Sequence, residues 1–311
     1  MPKNVSSPVL IPDAFRSRIM YRGTYTAIVT PFRDGQVDKP ALERLVEDQI
    51  AGGVDGLVPV GTTGESPTLS VEEHLQVIEW TVRFARGRVK VMGGTGANST
   101  REAIELTEKA ADLGVDASLQ VAPYYNRPTQ EGLFQHYRAI AQATSLPIYL
   151  YNVPGRSGVE IGVETTRRLA EACPTILGIK EAGGSADRVT QLRAACGPRF
   201  QIISGDDVLT VPFMALGAVG VISVASNVVP SEVVRLVNAA ADGNFSQARD
   251  RHYRLLPLFR ALFLESNPAP AKAALAMLGR MDGELRLPLV PITSPTHEAL
   301  RLALAGLGLL S

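Results

Sequence analysis

The run Leu177-Gly178-Ile179-Lys180-Glu181 closes an apolar stretch with a lysine, and the turn Ala182-Gly183-Gly184 follows it. At the C-terminal end of a buried parallel strand, where α/β barrels place their chemistry, such a lysine is a candidate Schiff-base nucleophile. Burial disfavours its ammonium form and frees the neutral amine for attack on a carbonyl. A lysine solvated at the end of a strand fits the same residues, so its neighbours must decide between the two.

Those neighbours are polar and stand after separate apolar runs: Thr62 and Thr63, Tyr124 and Tyr125, Tyr151 and Arg156, then Gly205 and Asp206. The stretch Gly61-Thr62-Thr63-Gly64-Glu65-Ser66 offers backbone N–H groups and hydroxyls to a small carboxylate or phosphate, and equally reads as a glycine turn with a threonine cap. It lacks the lysine of a Walker A loop, so a P-loop is not expected. Gly94-Thr95-Gly96-Ala97-Asn98-Ser99 has a serine in the third glycine position of a dinucleotide fingerprint and reads as a strand-to-helix turn. The tyrosines suit either a buried core or a proton relay, and Arg156 either a surface ion pair or a carboxylate clamp. All four histidines, His74, His136, His252 and His297, fall in helical segments away from the strand ends. Neither a histidine triad nor a metal site is expected, and a lysine imine would supply the electron sink without a cofactor.

Elements that would position these residues follow from periodicity. From Gly23 onward, apolar runs alternate with amphipathic segments of helical length, the mark of repeated βα units. Strands are expected over 23–30, 55–60, 89–94, 117–122, 147–152, 176–180, 200–204 and 219–224. Helices are expected over 40–51, 70–85, 99–113, 130–143, 162–173, 185–195 and 207–216. Ser70 and Glu73 form a capping box at the start of the second helix. Eight nearly all-apolar strands with seven intervening helices predict a closed α/β fold, a (β/α)8 or TIM barrel. After Ser226 only helical patterning remains, over 230–241, 246–264, 268–278 and 295–309. The chain therefore divides into residues 1–20, an extension; 21–226, the barrel core; and 227–311, the closing barrel helix with a C-terminal helical appendage.

Composition narrows the setting. The 311 residues carry 31 basic and 31 acidic side chains, so no electrostatic footprint for nucleic acid or an anionic membrane is present. A small polar metabolite is the expected partner. Cys173 and Cys196 lie apart at helix ends without a CxxC spacing, as spare thiols of a reducing cytoplasm. No apolar stretch is long enough to span a membrane, and residues 1–18 lack the apolar region of a signal peptide. Because the patterned part begins at Tyr21, Met20 is an alternative start.

Seven motifs, in order and in register, then carry a resemblance: GTTGES at 61–66, GTGAN at 94–98, PYYNRPTQEG at 123–132, YNVPGRSG at 151–158, GIKEA at 178–182, SGDD at 204–207 and GVISVASN at 220–227. From about Tyr21 to the C-terminus the sequence resembles the dihydrodipicolinate synthase family, also called 4-hydroxy-tetrahydrodipicolinate synthase, of the N-acetylneuraminate lyase superfamily. The resemblance implies a class I lyase in which Lys180 forms an imine with pyruvate and the derived enamine attacks L-aspartate 4-semialdehyde, on the diaminopimelate route to lysine. It implies Thr62 and Tyr151 as members of a proton relay, with Tyr125 as a third contributed across a dimer interface of a homotetramer. Thr63 would hold the pyruvate carboxylate, Arg156 would recognise the semialdehyde carboxylate, and Gly205 and Ile222 would line the pocket through main-chain carbonyls.

Lys180 and the GTTGE stretch are shared with sugar-acid aldolases of the superfamily and do not choose the substrate. Arg156, which sugar-specific relatives generally lack, and the Asp206-Asp207 pair favour the synthase over a related 2-oxo-acid aldolase. A non-catalytic binding barrel would be expected to have lost Lys180 or the tyrosines. His74, Asn98, Glu102 and Tyr124 match positions that bind lysine in feedback-regulated relatives, whereas Pro67 and Val71 stand where some of those relatives differ.

Overall fold

The computed structural model describes residues 21–310. The expected extension 1–20, with its alternative start at Met20, lies outside them. Eight parallel strands close a barrel: β1 (Gly23–Ala27), β2 (Gly56–Val58), β3 (Lys90–Gly94), β4 (Ala117–Val121), β5 (Ile148–Asn152), β6 (Ile176–Glu181), β7 (Gln201–Ser204) and β8 (Gly220–Ser223). Each strand pairs with its neighbour in sequence, and β1 pairs with β8 through Gly23 opposite Gly220 and Tyr25 opposite Ile222. The strands are shorter than the apolar runs suggest, because the runs continue into buried loop residues such as Ile28, Val29 and Val60.

Helices α1 (Lys39–Ala51), α2 (Val71–Ala85), α3 (Thr100–Asp112), α4 (Gln130–Ala143), α5 (Val163–Ala172), α6 (Ala186–Cys196) and α7 (Thr210–Ala215) follow the first seven strands. Their N-termini are set by local chemistry. Ser70 accepts from the N–H of Glu73 at 3.1 Å while the Glu73 carboxylate accepts from the N–H of Ser70 at 3.0 Å, the capping box expected at the start of α2. Asp38, Ser99, Thr129 and Ser185 cap α1, α3, α4 and α6 through their side-chain oxygens. Helix α8 (Pro230–Ala241) follows β8 and packs on β1, completing the ring; α9 (Phe245–Ala261), α10 (Ala269–Met277) and α11 (Ser294–Gly306) form the C-terminal appendage.

Strand periodicity splits the apolar residues between two cores. Outward-facing side chains such as Ile148, Leu150 and Ile179 pack beneath the helices. Inward-facing Tyr25, Met92, Leu119, Tyr149, Ile203 and Ile222 fill the barrel. The end opposite the expected site is plugged by aromatics: the Tyr21 ring lies 5.6 Å from that of Tyr25 and 5.2 Å from that of Tyr149, and the Tyr149 hydroxyl donates to Gln201. Burial holds the hydroxyls of Tyr21, Tyr25 and Tyr149 well above their ordinary pKa.

Candidate active site

Lys180 and Tyr151 meet because their strands are in register. In the β5–β6 pairing Tyr151 stands opposite Lys180 and Asn152 opposite Glu181. Alternation turns the first pair into the barrel and the second outward. Inside, the Lys180 Nζ lies 4.1 Å from the centroid of the Tyr151 ring. It has no hydrogen-bond or carboxylate partner among the described residues, although the side chain is only 6% exposed. Outside, the fully buried Glu181 carboxylate accepts from Asn152 at 3.0 and 3.1 Å, from the N–H of Gly183 at 2.7 Å and from Arg188 at 2.7 Å. Asn152 Oδ1 in turn accepts from the N–H of Ile161 at 3.0 Å. The ends of β5 and β6 are thus tied together directly behind the lysine and the tyrosine.

Thr62 and Thr63 sit in the turn after β2, whose backbone is strained. Val60 at φ 49° and Glu65 at φ 55° both occupy the left-handed region, rare for any side chain and most costly for a β-branched one. Gly64 is required here, since a Cβ on it would lie 2.8 Å from the Val60 nitrogen. Tertiary contacts hold the turn. Glu65 is fully buried against Lys272 of α10 at 2.5 Å and accepts from the Arg286 N–H at 3.2 Å, and the Thr63 hydroxyl accepts from Asn267 at 2.9 Å. Burial pushes the Lys272 ammonium down to about 8 while Glu65 pulls it back up.

Arg156 lies in a single helical turn, Pro154–Ser157, that follows β5, and its guanidinium donates to the main-chain carbonyl of Asn267 at 3.2 Å. Thr62, Tyr124, Tyr151 and Arg156 share the wall of a cavity of about 260 Å³. That is close to the lower end, roughly 300 Å³, of small-molecule sites and suits a compact metabolite. Gly205 approaches from β7: a Cβ on it would lie 3.0 Å from the Lys180 Cε and 2.8 Å from the Ala182 Cβ. Ile222, 1% exposed on β8, belongs to the same buried barrel-interior cluster as Tyr151. Thr63, Lys180 and Ile222 are buried and do not line this cavity; Tyr151 lines it and carries the Lys180 Nζ against its ring.

The remaining expected residues fall elsewhere. Tyr125 is 92% exposed at φ 71° and makes no part of the cavity. Asp206 caps its own loop, accepting from the N–H of Val208 at 2.8 Å. The neighbouring Asp207 ties that loop to the end of β8, accepting from the Ser223 hydroxyl at 2.5 Å and from two backbone N–H groups at 3.0 Å, while burial pushes its carboxyl up to about 6. Asn98 donates to the Tyr124 carbonyl at 3.1 Å, and burial, helped by the charge of nearby Glu102, raises the pKa of the Tyr124 hydroxyl.

One expectation needs correction. His74 is not remote from the strand ends: its Nε2 lies 2.9 Å from the carbonyl of Gly94, the last residue of β3, and its Nδ1 3.4 Å from the hydroxyl of Ser66. A carbonyl only accepts, so Nε2 carries the proton, and burial lowers the pKa of the ring and keeps it neutral. Sequence reasoning placed it by its helix and missed that α2 packs this face on the rim. Asn267 and Lys272 were also missed. Their one signal is polarity out of place, an asparagine and a lysine in the otherwise apolar stretch Asn267-Pro-Ala-Pro-Ala-Lys272.

The family model of the dihydrodipicolinate synthetase family matches residues 20–306. The chain is 52% identical over 281 residues to a 4-hydroxy-tetrahydrodipicolinate synthase of Geotalea daltonii, covering 90% of this chain and 97% of that one. It is similar to the structure of the 4-hydroxy-tetrahydrodipicolinate synthase of the thermoacidophilic methanotroph Methylacidiphilum fumariolicum SolV, with a TM-score of 0.91 and 56% identity over 92% of this chain and 96% of that one. A chloride-inhibited dihydrodipicolinate synthase of Acinetobacter baumannii complexed with pyruvate has a TM-score of 0.91 and 49% identity, over 93% of this chain and 99% of that one.

Proposed function

The chain belongs to the dihydrodipicolinate synthetase family, and from that premise we propose how its residues divide the work of condensing pyruvate with L-aspartate 4-semialdehyde. The protein is a lyase of lysine biosynthesis with 4-hydroxy-tetrahydrodipicolinate synthase activity. The observation that carries the residue assignment is the buried Lys180 amine, unpaired with any carboxylate among the described residues and lying against Tyr151.

In this reading the Lys180 amine adds to the keto carbon of pyruvate and water leaves, giving an imine. Loss of a methyl proton converts the imine to an enamine, with Tyr151 and Thr62 passing the proton. The enamine carbon attacks the aldehyde carbon of the semialdehyde, whose oxygen takes up a proton. The semialdehyde amine then closes the ring on the imine carbon and expels the Lys180 amine. Thr63 holds the pyruvate carboxylate and Arg156, at the cavity wall, the semialdehyde carboxylate. Gly205 and Ile222 line the pocket beside the lysine through their carbonyls.

Tyr125 supplies its hydroxyl to the site of a second copy. Its outward, 92% exposed side chain supports this, because it has nowhere to act in its own subunit. The working form is accordingly a homo-oligomer, a tetramer built from dimers. Lysine binds at the same interface, on Asn98, Glu102 and Tyr124 with His74 behind them; the Glu102 carboxylate, without an ion pair among the described residues, suits the ammonium of the ligand. No helix among the described residues is long and apolar enough to cross a membrane. A cytoplasmic setting is part of the same proposal.

The substrate assignment is tested by assaying pyruvate with L-aspartate 4-semialdehyde beside N-acetylneuraminate and 2-keto-3-deoxy acids. Turnover confined to the semialdehyde is the expected result. Turnover of a sugar acid without the semialdehyde would reject the substrate assignment.

A further inference from the structure

We propose that Asn267 is a positioning residue of the pyruvate subsite, fixing the Thr63 hydroxyl so that its proton faces the substrate carboxylate. The inference rests on the reading of Thr63 as the ligand of that carboxylate. A threonine hydroxyl has one proton to donate and two lone pairs to accept with. Thr63 is 3% exposed, and its hydroxyl oxygen lies 2.9 Å from the Asn267 amide nitrogen, 204 residues away in sequence. An amide N–H only donates, so Thr63 accepts there and keeps its own proton for another partner. Accepting one bond also polarises the hydroxyl and strengthens the bond it donates, most of all to an anion.

The rest of Asn267 fits this task. The other end of its amide, Oδ1, is buried without a donor among the described residues, a cost that a residue retained for packing alone has no reason to carry. Its main-chain carbonyl accepts from Arg156 at 3.2 Å, so one residue reaches both carboxylate-directed groups, by side chain to Thr63 and by main chain to Arg156. The turn that bears Thr63 is strained at Val60 and Glu65. Lys272, five residues beyond Asn267, anchors Glu65 of the same turn.

The split between side chain and main chain makes the test selective. The pyruvate concentration for half-maximal borohydride trapping and the KM of each substrate are measured for wild type, Asn267→Ala, Asn267→Asp, Thr63→Val and the Thr63→Val/Asn267→Ala pair. Asn267→Asp keeps the shape but cannot donate, and should raise half-saturation by pyruvate about tenfold while the semialdehyde KM stays within about twofold. Asn267→Ala should raise half-saturation by pyruvate on the wild-type background and add nothing on the Thr63→Val background. Wild-type pyruvate affinity in Asn267→Asp overturns the proposal, as does a parallel rise in both KM values. If Asn267→Ala fails to fold, the isosteric aspartate variant decides. A Thr63→Val variant with unchanged pyruvate affinity removes the reading of Thr63 itself; one with weakened affinity beside inert Asn267 variants removes this inference alone.

Discussion

Around Lys180 the space is set by a missing methyl group. Gly205 has no Cβ, and adding one would bring it to 2.8 Å from the Ala182 Cβ, closer than real contacts allow, and to a crowded 3.0 Å from the Lys180 Cε. Gly205→Ala is therefore expected to push the lysine off its position beside Tyr151. Turnover should fall by roughly 10- to 100-fold, because displacements of about 1 Å at reacting groups cost this much. Borohydride trapping at saturating pyruvate, followed over time, checks this; an unchanged trapping rate would show that the lysine tolerates the methyl. Lys180, Tyr151, Thr62 and Arg156 stood out in the sequence because each ends or follows an apolar run. Asn152, Glu181 and Arg188 did not, since the first two face outward on the same strands and meet through the β5–β6 register, and Arg188 joins them from α6.

Among the elements, the segment from Asn267 to Arg286 brackets the strained turn after β2. Lys272 and Arg286 both lie over the Phe32 ring, at 4.1 and 4.4 Å, and reach Glu65 and Glu73. Removing one member of the buried pair leaves a charge without a partner. Lys272→Met should cost roughly 3–5 kcal/mol of stability, and Glu65→Gln added to it should restore part of the loss, as read by denaturant unfolding. The ion pair of Glu73 with Arg286 gives a pH signature. Arg286 holds the Glu73 carboxyl down at about 2, so its contribution is complete above the ordinary carboxylate pKa and is lost as pH falls from about 4.5 toward 2. The Tm difference between wild type and Glu73→Gln should be several degrees at pH 6 and vanish near pH 2; a constant difference would assign the effect to the cap rather than to charge. The capping box and the helix boundaries were readable from local residue types. This bracket was not, because its partners lie more than 200 residues apart.

At the scale of the molecule, eight apolar runs alternating with amphipathic helices made the barrel plain before any coordinates. The role of the C-terminal helices was not plain, for helical periodicity says which face is buried but not what it covers. Tyr125, pointing away from its own cavity, makes the assembly testable by mixing. Tyr125→Phe and Lys180→Ala homo-oligomers should each be weak or inactive. Subunits dissociated and reassociated together should recover about a quarter of wild-type activity, since half of randomly formed dimers carry one intact site. No recovery on mixing would place Tyr125 outside the partner's site. Millimolar L-lysine should inhibit the wild type and spare Glu102→Ala, in initial-rate measurements at fixed substrate. The central claim is covalent chemistry at one residue. Wild-type protein treated with pyruvate and borohydride should gain the mass of pyruvate less one water plus two hydrogens, on the peptide bearing Lys180, and Lys180→Ala should gain nothing. A wild-type chain left unmodified, or the same gain in the alanine variant, would contradict the account.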